Sequence, residues 1–320
     1  MTNKEKYIRF CEQNDFVPIF SQPWWMDAVC IDGYWNVLLY EKADEILGAL
    51  PYFVKKKIGL SYITQPPFTQ NNGVIIKYPE NQKYEKRLSH EKEVMTALIE
   101  QLEKLPISFY RQQFNCNYTN WLPFYWKGYK QTTYYTYAYK NILNIQEQDL
   151  LKSYSQDKRK SVQSGKSKGL YLSEDISVDD FYEFHKLCLI KLGKQISYSH
   201  ELLANMVNGA YERNMGKVFT VRDVEGSLVA VRFAVWDKYA GYGINTAICH
   251  TNRDGGPFVF HEVIKYISNF VDIFYLGGSM IESVEASYRR FGTVQVPYFV
   301  ISKIMTKNPF FHLLIDKRLK

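Results

Sequence analysis

Several things are scarce or missing in this chain of 320 residues, and each absence narrows what it can be. Cysteine is the first: Cys11, Cys30, Cys116, Cys188 and Cys249 are odd in number, scattered, and contain no Cys-x-x-Cys. That excludes a disulfide framework and a cysteine-based zinc site, and it suits a reducing cytoplasm. No apolar run approaches the ~18 residues of a membrane span, because Lys or Arg interrupts each candidate. Met1-Thr2-Asn3-Lys4-Glu5-Lys6 has no apolar core behind it. The expectation is a cytoplasmic protein with no signal peptide and no stable membrane insertion. Familiar catalytic templates are missing too. There is no Gly-x-Ser-x-Gly elbow and no Rossmann Gly-x-Gly-x-x-Gly. Gly165-Lys166-Ser167 ends like a P-loop, but Lys160 stands where that motif needs glycine. His261-Glu262 opens like a zinc-protease helix, yet Lys265 holds the second histidine's place, so no metal is expected. His250 and His261 are isolated, and isolated histidines are usually structural.

What is present is an internal repeat. Gly128-Tyr129-Lys130-Gln131-Thr132-Thr133-Tyr134-Tyr135 and Gly292-Thr293-Val294-Gln295-Val296-Pro297-Tyr298-Phe299 both read Gly-x-x-Gln-x-x-Tyr-aromatic, 164 residues apart. A Phe-Tyr pair closes an apolar run upstream of each, Ile107 to Tyr110 and Ile273 to Tyr275. Further upstream, Leu47-Gly48-Ala49-Leu50-Pro51-Tyr52-Phe53 is echoed by Leu228-Val229-Ala230-Val231-Arg232-Phe233-Ala234. Three echoes in one order point to two copies of one unit, 1–147 and 148–320, forming a rigid body with a cleft between the copies. A hydrophobic content of 46% is enough for two full cores. The 26 tyrosines suit either amphipathic walls around a cleft or a core with satisfied hydroxyls.

Periodicity supports the same order of elements in each copy. Trp35 to Tyr40 and Ile46 to Val54 read as a hairpin across Ala43-Asp44-Glu45, followed by a strand-like Gly73 to Lys77. His90 to Leu105 has helical spacing and stops at Pro106; Phe109 to Phe114 is a strand, and another begins at the Gly-x-x-Gln turn. The second copy offers strands at Val218 to Val224, Ser227 to Val235 and Ala240 to Ala247. A helix from Phe258 to Phe270, a strand from Ile273 to Gly277, a helix from Ile281 to Phe291 and a strand from Val294 to Ser302 follow. The fold class is α/β (mixed α+β), each half a mixed β-sheet flanked by helices.

Charge concentrates at the junction. From Leu151 to Leu170 six bases, Lys152, Lys158, Arg159, Lys160, Lys166 and Lys168, face one acid, Asp157, in a chain of net charge +7. Such a run is either a solvated face or an anion site. If it binds phosphate, the planar fork of Arg159 is the best suited group, with Lys158 beside it. Two passages from strand to glycine to helix follow. Arg253-Asp254-Gly255-Gly256-Pro257 could offer helix N–H groups to an anion, or be an ordinary turn. Gly277-Gly278-Ser279 leads to Glu282 at capping-box spacing, with Glu285, Tyr288 and Arg289 beyond it.

These segments together resemble the FemAB-like, BioF2-type branch of the GNAT superfamily of N-acyltransferases, over nearly the whole chain. The resemblance implies a tandem of two GNAT-like halves: a degenerate N-terminal half, and a C-terminal half carrying the acyl-donor site. It implies an acyltransferase that uses acetyl-CoA, another acyl-CoA or aminoacyl-tRNA. The acceptor would be an amine of a small molecule, a sugar nucleotide or a cell-wall precursor. In GNAT enzymes an Arg/Gln-x-x-Gly-x-Gly/Ala turn cradles the diphosphate of coenzyme A. By resemblance Arg253, Gly255 and Gly256 would hold that group, although Phe258 stands where the last small residue belongs. GNAT sheets splay after the fourth strand, which would put backbone N–H groups around Tyr242 and Asn245 against the acyl carbonyl. Glu282 or Glu285 could then act as base and Tyr288 as proton donor, with Lys158, Arg159, Gly277, Gly278, Ser279 and Arg289 holding an anionic substrate. Two alternatives stay open: a non-catalytic tandem that binds an anionic ligand, and a basic RNA-binding protein.

Overall fold

A computed structural model describes residues 1–57, 59–173, 176–249, 251–278 and 280–309. Among them are ten α-helices and twelve strands in a mixed α/β arrangement, as the periodicity implies. They gather into two compact units: Met1–Tyr134 with the chain from Pro297 on, and Tyr135–Val296. The first unit is built from two lengths of chain and the second from one, and both boundaries fall inside strands.

In the first unit, α1 (Asn3–Gln13) and α2 (Pro23–Val29) lead to the hairpin of β1 (Tyr34–Lys42) and β2 (Glu45–Lys57). Its turn holds Ala43 and Asp44 at φ of 50° and 63°. Two consecutive positive φ values give the twist that matches antiparallel strands. β3 (Leu60–Thr64) continues the antiparallel run, and the short β4 (Ile75–Ile76) also pairs with β2. The pattern reading passes over β3, because Lys55, Lys56 and Lys57 precede it and Pro66-Pro67 soon follows. The strand-like stretch expected at Gly73 to Lys77 contracts to those two residues of β4. α3 (Tyr84–Leu102) starts a turn and a half before the expected helix and covers the sheet with Val94, Leu98 and Leu102. It comes closest at Gly48, where a Cβ would stand 2.2 Å from Val94 Cγ1. β5 (Phe109–Gln113) lies parallel to β3; α4 (Leu122–Trp126) and β6 (Lys130–Lys140) follow.

The second unit begins within β6 and continues with α5 (Glu147–Ser153), α6 (Gln156–Ser167), β7 (Tyr171–Ser173), α7 (Val178–Ile190) and α8 (His200–Tyr211). Then come β8 (Gly216–Arg222), β9 (Leu228–Trp236), β10 (Gly241–Ile248), α9 (Gly255–Ile267), β11 (Ile273–Gly278), α10 (Glu282–Tyr288) and β12 (Val294–Ile304). β7 to β10 are antiparallel neighbours in sequence order, and β10 meets β11 in parallel. α9 is apolar nearly all round, and its Val259, Val263, Ile264 and Ile267 pack with Phe219, Val221, Val229 and Ala234 of the sheet.

The pairings of the last strands repeat between the units. In the first unit β5, which lies parallel to β3, takes β12 as its antiparallel neighbour. In the second, β11, parallel to β10, takes β6. Each unit therefore receives its closing strand from the other copy of the repeat. Gly128 and Gly292, the first residues of the repeated motif, stand just before β6 and β12 with φ of 77° and 74°. That left-handed turn is the reason the motif begins with glycine.

Candidate active site

β10 and β11 pair at only two positions, Gly241↔Phe274 and Tyr242↔Tyr275, and Tyr242 stacks on Tyr275 there at 5.4 Å. The register of β10 against β9 breaks between Gly243 and Asn245, and the two parallel strands go separate ways from that point. Arg232 of β9 fills the resulting wedge. Its Nη1 donates to Thr246 Oγ1 of β10 at 2.8 Å and its Nη2 to the Leu276 carbonyl of β11 at 3.4 Å. The guanidinium thus stands where ladder hydrogen bonds would otherwise be. It is 1% exposed, its Nε has no hydrogen-bond partner, and no carboxylate pairs with it among the described residues. Burial lowers its pKa to about 10. Phe260 of α9 covers the guanidinium face at 3.7 Å. Gly243 makes the room, since a Cβ there would stand 1.9 Å from Nη2.

An aromatic chain links this charge to α10. Phe260 stacks on Phe291 at 5.1 Å and meets Tyr288 at 6.0 Å; Tyr288 meets Tyr137 of β6 edge-on at 6.0 Å. Glu285 lies one turn before Arg289, 3.6 Å from its Nη1. The Tyr137 hydroxyl accepts from Gln295 Nε2 at 2.8 Å. Burial raises its pKa, Gln295 opposes that, and the Glu285 carboxylate adds to it. Lys158 of α6 reaches the same helix, with Nζ 3.2 Å from Ser287 Oγ and 4.9 Å from the Phe291 ring centre. Burial lowers its pKa. The structure therefore gathers Lys158, Glu285, Tyr288 and Arg289 into one neighbourhood with Arg232. Glu282, the first residue of α10, is exposed and stands apart from these contacts. Gly277 and Gly278 end β11 and feed the chain toward α10. Ser279 and His250 lie outside the described residues; the N-cap position of α10 is Ile281, so the capping box expected from Glu282 does not start this helix.

The other face of β10 holds a second polar group. Asn245 Nδ2 donates to the Tyr198 hydroxyl at 2.7 Å, and that hydroxyl lies 2.6 Å from His185 Nδ1 on α7. Burial lowers the His185 pKa, so the ring is neutral near pH 7 and its Nδ1 can accept from Tyr198. Sequence reasoning missed His185, Tyr198 and Arg232. The two ring residues carry no motif, and Arg232 sits inside an apolar run that reads as plain core strand.

At the start of α9 the geometry is different from a diphosphate cradle. Asn252 Oδ1 accepts the N–H groups of Asp254 and Gly255 at 3.1 and 3.2 Å, and Pro257 has none to offer. Asp254, 8% exposed, is bonded by Ser164 Oγ at 2.8 Å and Lys168 Nζ at 2.7 Å. Burial alone would raise the Asp254 carboxyl, but these partners hold its pKa below the usual range. Gly255 and Gly256 serve close packing: Cβ atoms would stand 2.3 Å from Val229 and 3.0 Å from Ile248. Arg253 is exposed in the preceding turn. The Asp254 and Gly255 amides are thus turned to Asn252, and the Asp254 carboxylate is seated beside them.

The basic junction is also partly answered by acids outside it. Lys152 pairs with Asp149 at 2.9 Å, Lys166 with Glu147, and Lys168 with Asp254. Arg159 Nη2 donates to the Tyr154 carbonyl at 3.2 Å, while its Nε is buried without a partner. Lys158 and Arg159 are half-buried and Lys160 is exposed, the division expected of three consecutive bases on one helix. No group of three or more His, Cys, Asp or Glu that could hold a metal occurs among the described residues. No helix among them is long and apolar enough to cross a membrane.

The fold is a FemAB-like tandem of the GNAT type. FemX matches with a TM-score of 0.72 at 11% identity, over 98% of each chain. L-PGS from Bacillus licheniformis matches with 0.57 at 10% identity, over 98% of this chain and 95% of the other. A tandem GNAT protein from the clavulanic acid biosynthesis pathway matches with 0.51 at 9% identity, over 96% of both chains. No protein-family model matches this chain, and no curated protein matches it in sequence.

Proposed function

We propose that this protein is an N-acyltransferase whose reaction takes place at the wedge between β10 and β11 of the second unit. The observation that carries this is Arg232, a buried guanidinium with only neutral partners among the described residues, set where the two strands part. Isolated buried charge is costly, and it persists where it acts on a charge that develops in the reaction. An acyl carbonyl at the wedge becomes an oxyanion when an amine adds to it. The nearby positive charge, acting through a low dielectric, would lower that barrier.

The chemistry requires a new C–N bond, cleavage of the acyl ester bond, and transfer of one proton from the amine to a base. Glu285, beside Tyr137 and Arg289, is the base we assign, and Tyr288 the donor to the leaving oxygen. The donor we favour is an aminoacyl ester carried on tRNA, because two amides at the start of α9 are turned to Asn252 while Lys158, Arg159 and Lys160 supply cations for a phosphate backbone. The acceptor is an amine of a small molecule, a cell-wall precursor or a sugar nucleotide, and the setting is the cytoplasm.

Purified protein incubated with radiolabelled aminoacyl-tRNA or acetyl-CoA, and a panel of amine acceptors, tests this directly. Transfer from aminoacyl-tRNA, lost in Glu285→Gln, is the expected result. A turnover reduced less than tenfold in both Glu282→Gln and Glu285→Gln would remove the base from α10. No transfer from either donor, with thermal stabilisation by a UDP-sugar, would point instead to a non-catalytic binder.

A further inference from the structure

The first unit contains a cavity of about 360 Å³, lined entirely by its own residues and separate from the chemistry above. Its walls are largely apolar, with Phe16, Pro18, Val74, Ile75 and Ile76 among them. At ~30 Å³ for each water-sized group, it holds about a dozen non-hydrogen atoms.

The polar groups around it are unbalanced. The Tyr118 hydroxyl accepts the Ile76 N–H at 2.9 Å, and its own proton meets no acceptor among the described residues. Asn72 is 3% exposed; its Oδ1 accepts from Gln112 Nε2 at 3.2 Å, but its Nδ2 is buried without a partner. Arg87 is half exposed, with its guanidinium over the Tyr78 ring at 4.4 Å. No Asp or Glu lines the cavity. The nearest carboxylate, Glu91, is buried and used on both oxygens. Oε1 accepts from Tyr78 at 2.8 Å and Arg87 Nε at 3.1 Å, and Oε2 accepts from Asn120 at 2.8 Å. The wall thus presents two donors without protein acceptors among the described residues, the Tyr118 O–H and Asn72 Nδ2, and one guanidinium, Arg87, which Glu91 meets at Nε.

We infer that this cavity binds a hydrophobic monocarboxylate, its hydrocarbon body on the aliphatic wall and its carboxylate toward Arg87 and the unmatched donors. An amine, a divalent cation or a zwitterionic amino acid would find no free carboxylate to meet its positive charge. A phosphate dianion would find a single arginine where such groups usually meet several donors of charge.

Isothermal titration of the full chain with straight-chain acids from butanoate to octanoate, and with alcohols and amines of the same lengths, tests this without reference to any enzymatic activity. Binding of the acids should tighten about fourfold per added methylene until the cavity is full, as expected for burying one CH₂ at a time. Matched alcohols and amines should bind at least about tenfold more weakly, the loss of one charge-assisted contact. Arg87→Gln alters a half-exposed side chain and should erase the preference for acid over alcohol while leaving the dependence on length. Equal binding of acids and alcohols, competition by inorganic phosphate at similar concentration, unchanged acid binding in Arg87→Gln, or no binding across the series would each overturn the inference.

Discussion

Replacing Arg232 by methionine should cost activity far more than stability. The lowering of the guanidinium pKa to about 10 corresponds to about 3 kcal/mol of unfavourable burial in the charged form. Methionine keeps the apolar stem against Phe260 and removes that penalty. Against it stand Thr246 Oγ1 and the Leu276 carbonyl, each left without its donor at a cost of ~1–3 kcal/mol. The two effects nearly cancel, so urea unfolding of Arg232→Met should change by less than about 2 kcal/mol in either direction. Removing one partner of an ordinary buried ion pair costs ~3–5 kcal/mol by comparison. No pH dependence should accompany the change in the neutral range, because Arg232 is protonated in both folded and unfolded chains below about pH 10. Acyl transfer should fall by ~100-fold or more, as when one oxyanion-stabilising group is lost. Gly243→Ala supplies the control: its Cβ would collide with Nη2 at 1.9 Å, costing ~1–3 kcal/mol as overpacking. In the double variant that collision is gone, and the coupling energy should exceed ~1 kcal/mol. A loss above ~4 kcal/mol in Arg232→Met, or additive single and double variants, would make the guanidinium a structural strut and refute the reasoning.

His261 is fully buried and its pKa is lowered to about 3 by burial, then by Lys166 and Lys265. Its folded value lies below its unfolded one, so stability should be lost as pH falls from 6.5 toward 3, by ~1.4 kcal/mol per pH unit. His261→Gln should flatten that acid limb in urea titrations; an unchanged slope would assign acid sensitivity elsewhere. The two repeat glycines should behave unequally in thermal melts. Gly128→Ala meets nothing within 4 Å and should cost only the ~1–2 kcal/mol of a left-handed alanine. Gly292→Ala should cost ~1–3 kcal/mol more, because its Cβ would stand 2.7 Å from the Ser153 carbonyl oxygen. Equal losses would contradict this. Asn252→Ala uncovers two N–H groups at the start of α9 and should destabilise by ~1–2 kcal/mol, with no gain of acetyl-CoA binding in calorimetry.

By itself the amino-acid sequence determined the local elements and their repetition. Alternation in β1 and β2, helical spacing in α3 and α9, and a glycine before each closing strand are properties of short windows, and they survive folding because local preference and tertiary packing agree. The family resemblance placed Glu285, Tyr288 and Arg289 among the candidates, and the run of bases placed Lys158 there. What only the tertiary structure decided is the choice of partners. β6 and β12 carry the same repeated motif, and nothing local tells either which of the two repeated edges to join. Loop closure discriminates weakly between near and far edges, so packing settles the exchange. The same holds for charge. Lys166 and Lys168 read as free bases until Glu147 and Asp254 meet them. Arg232 was hidden for the converse reason. Its apolar neighbours in the chain read as plain core strand, and only the parting of β10 from β11, with Gly243 leaving space, makes it a buried charge without a counter-ion among the described residues. Sequence patterns report what a residue prefers; a functional charge is recognised by the company that long-range contacts withhold from it.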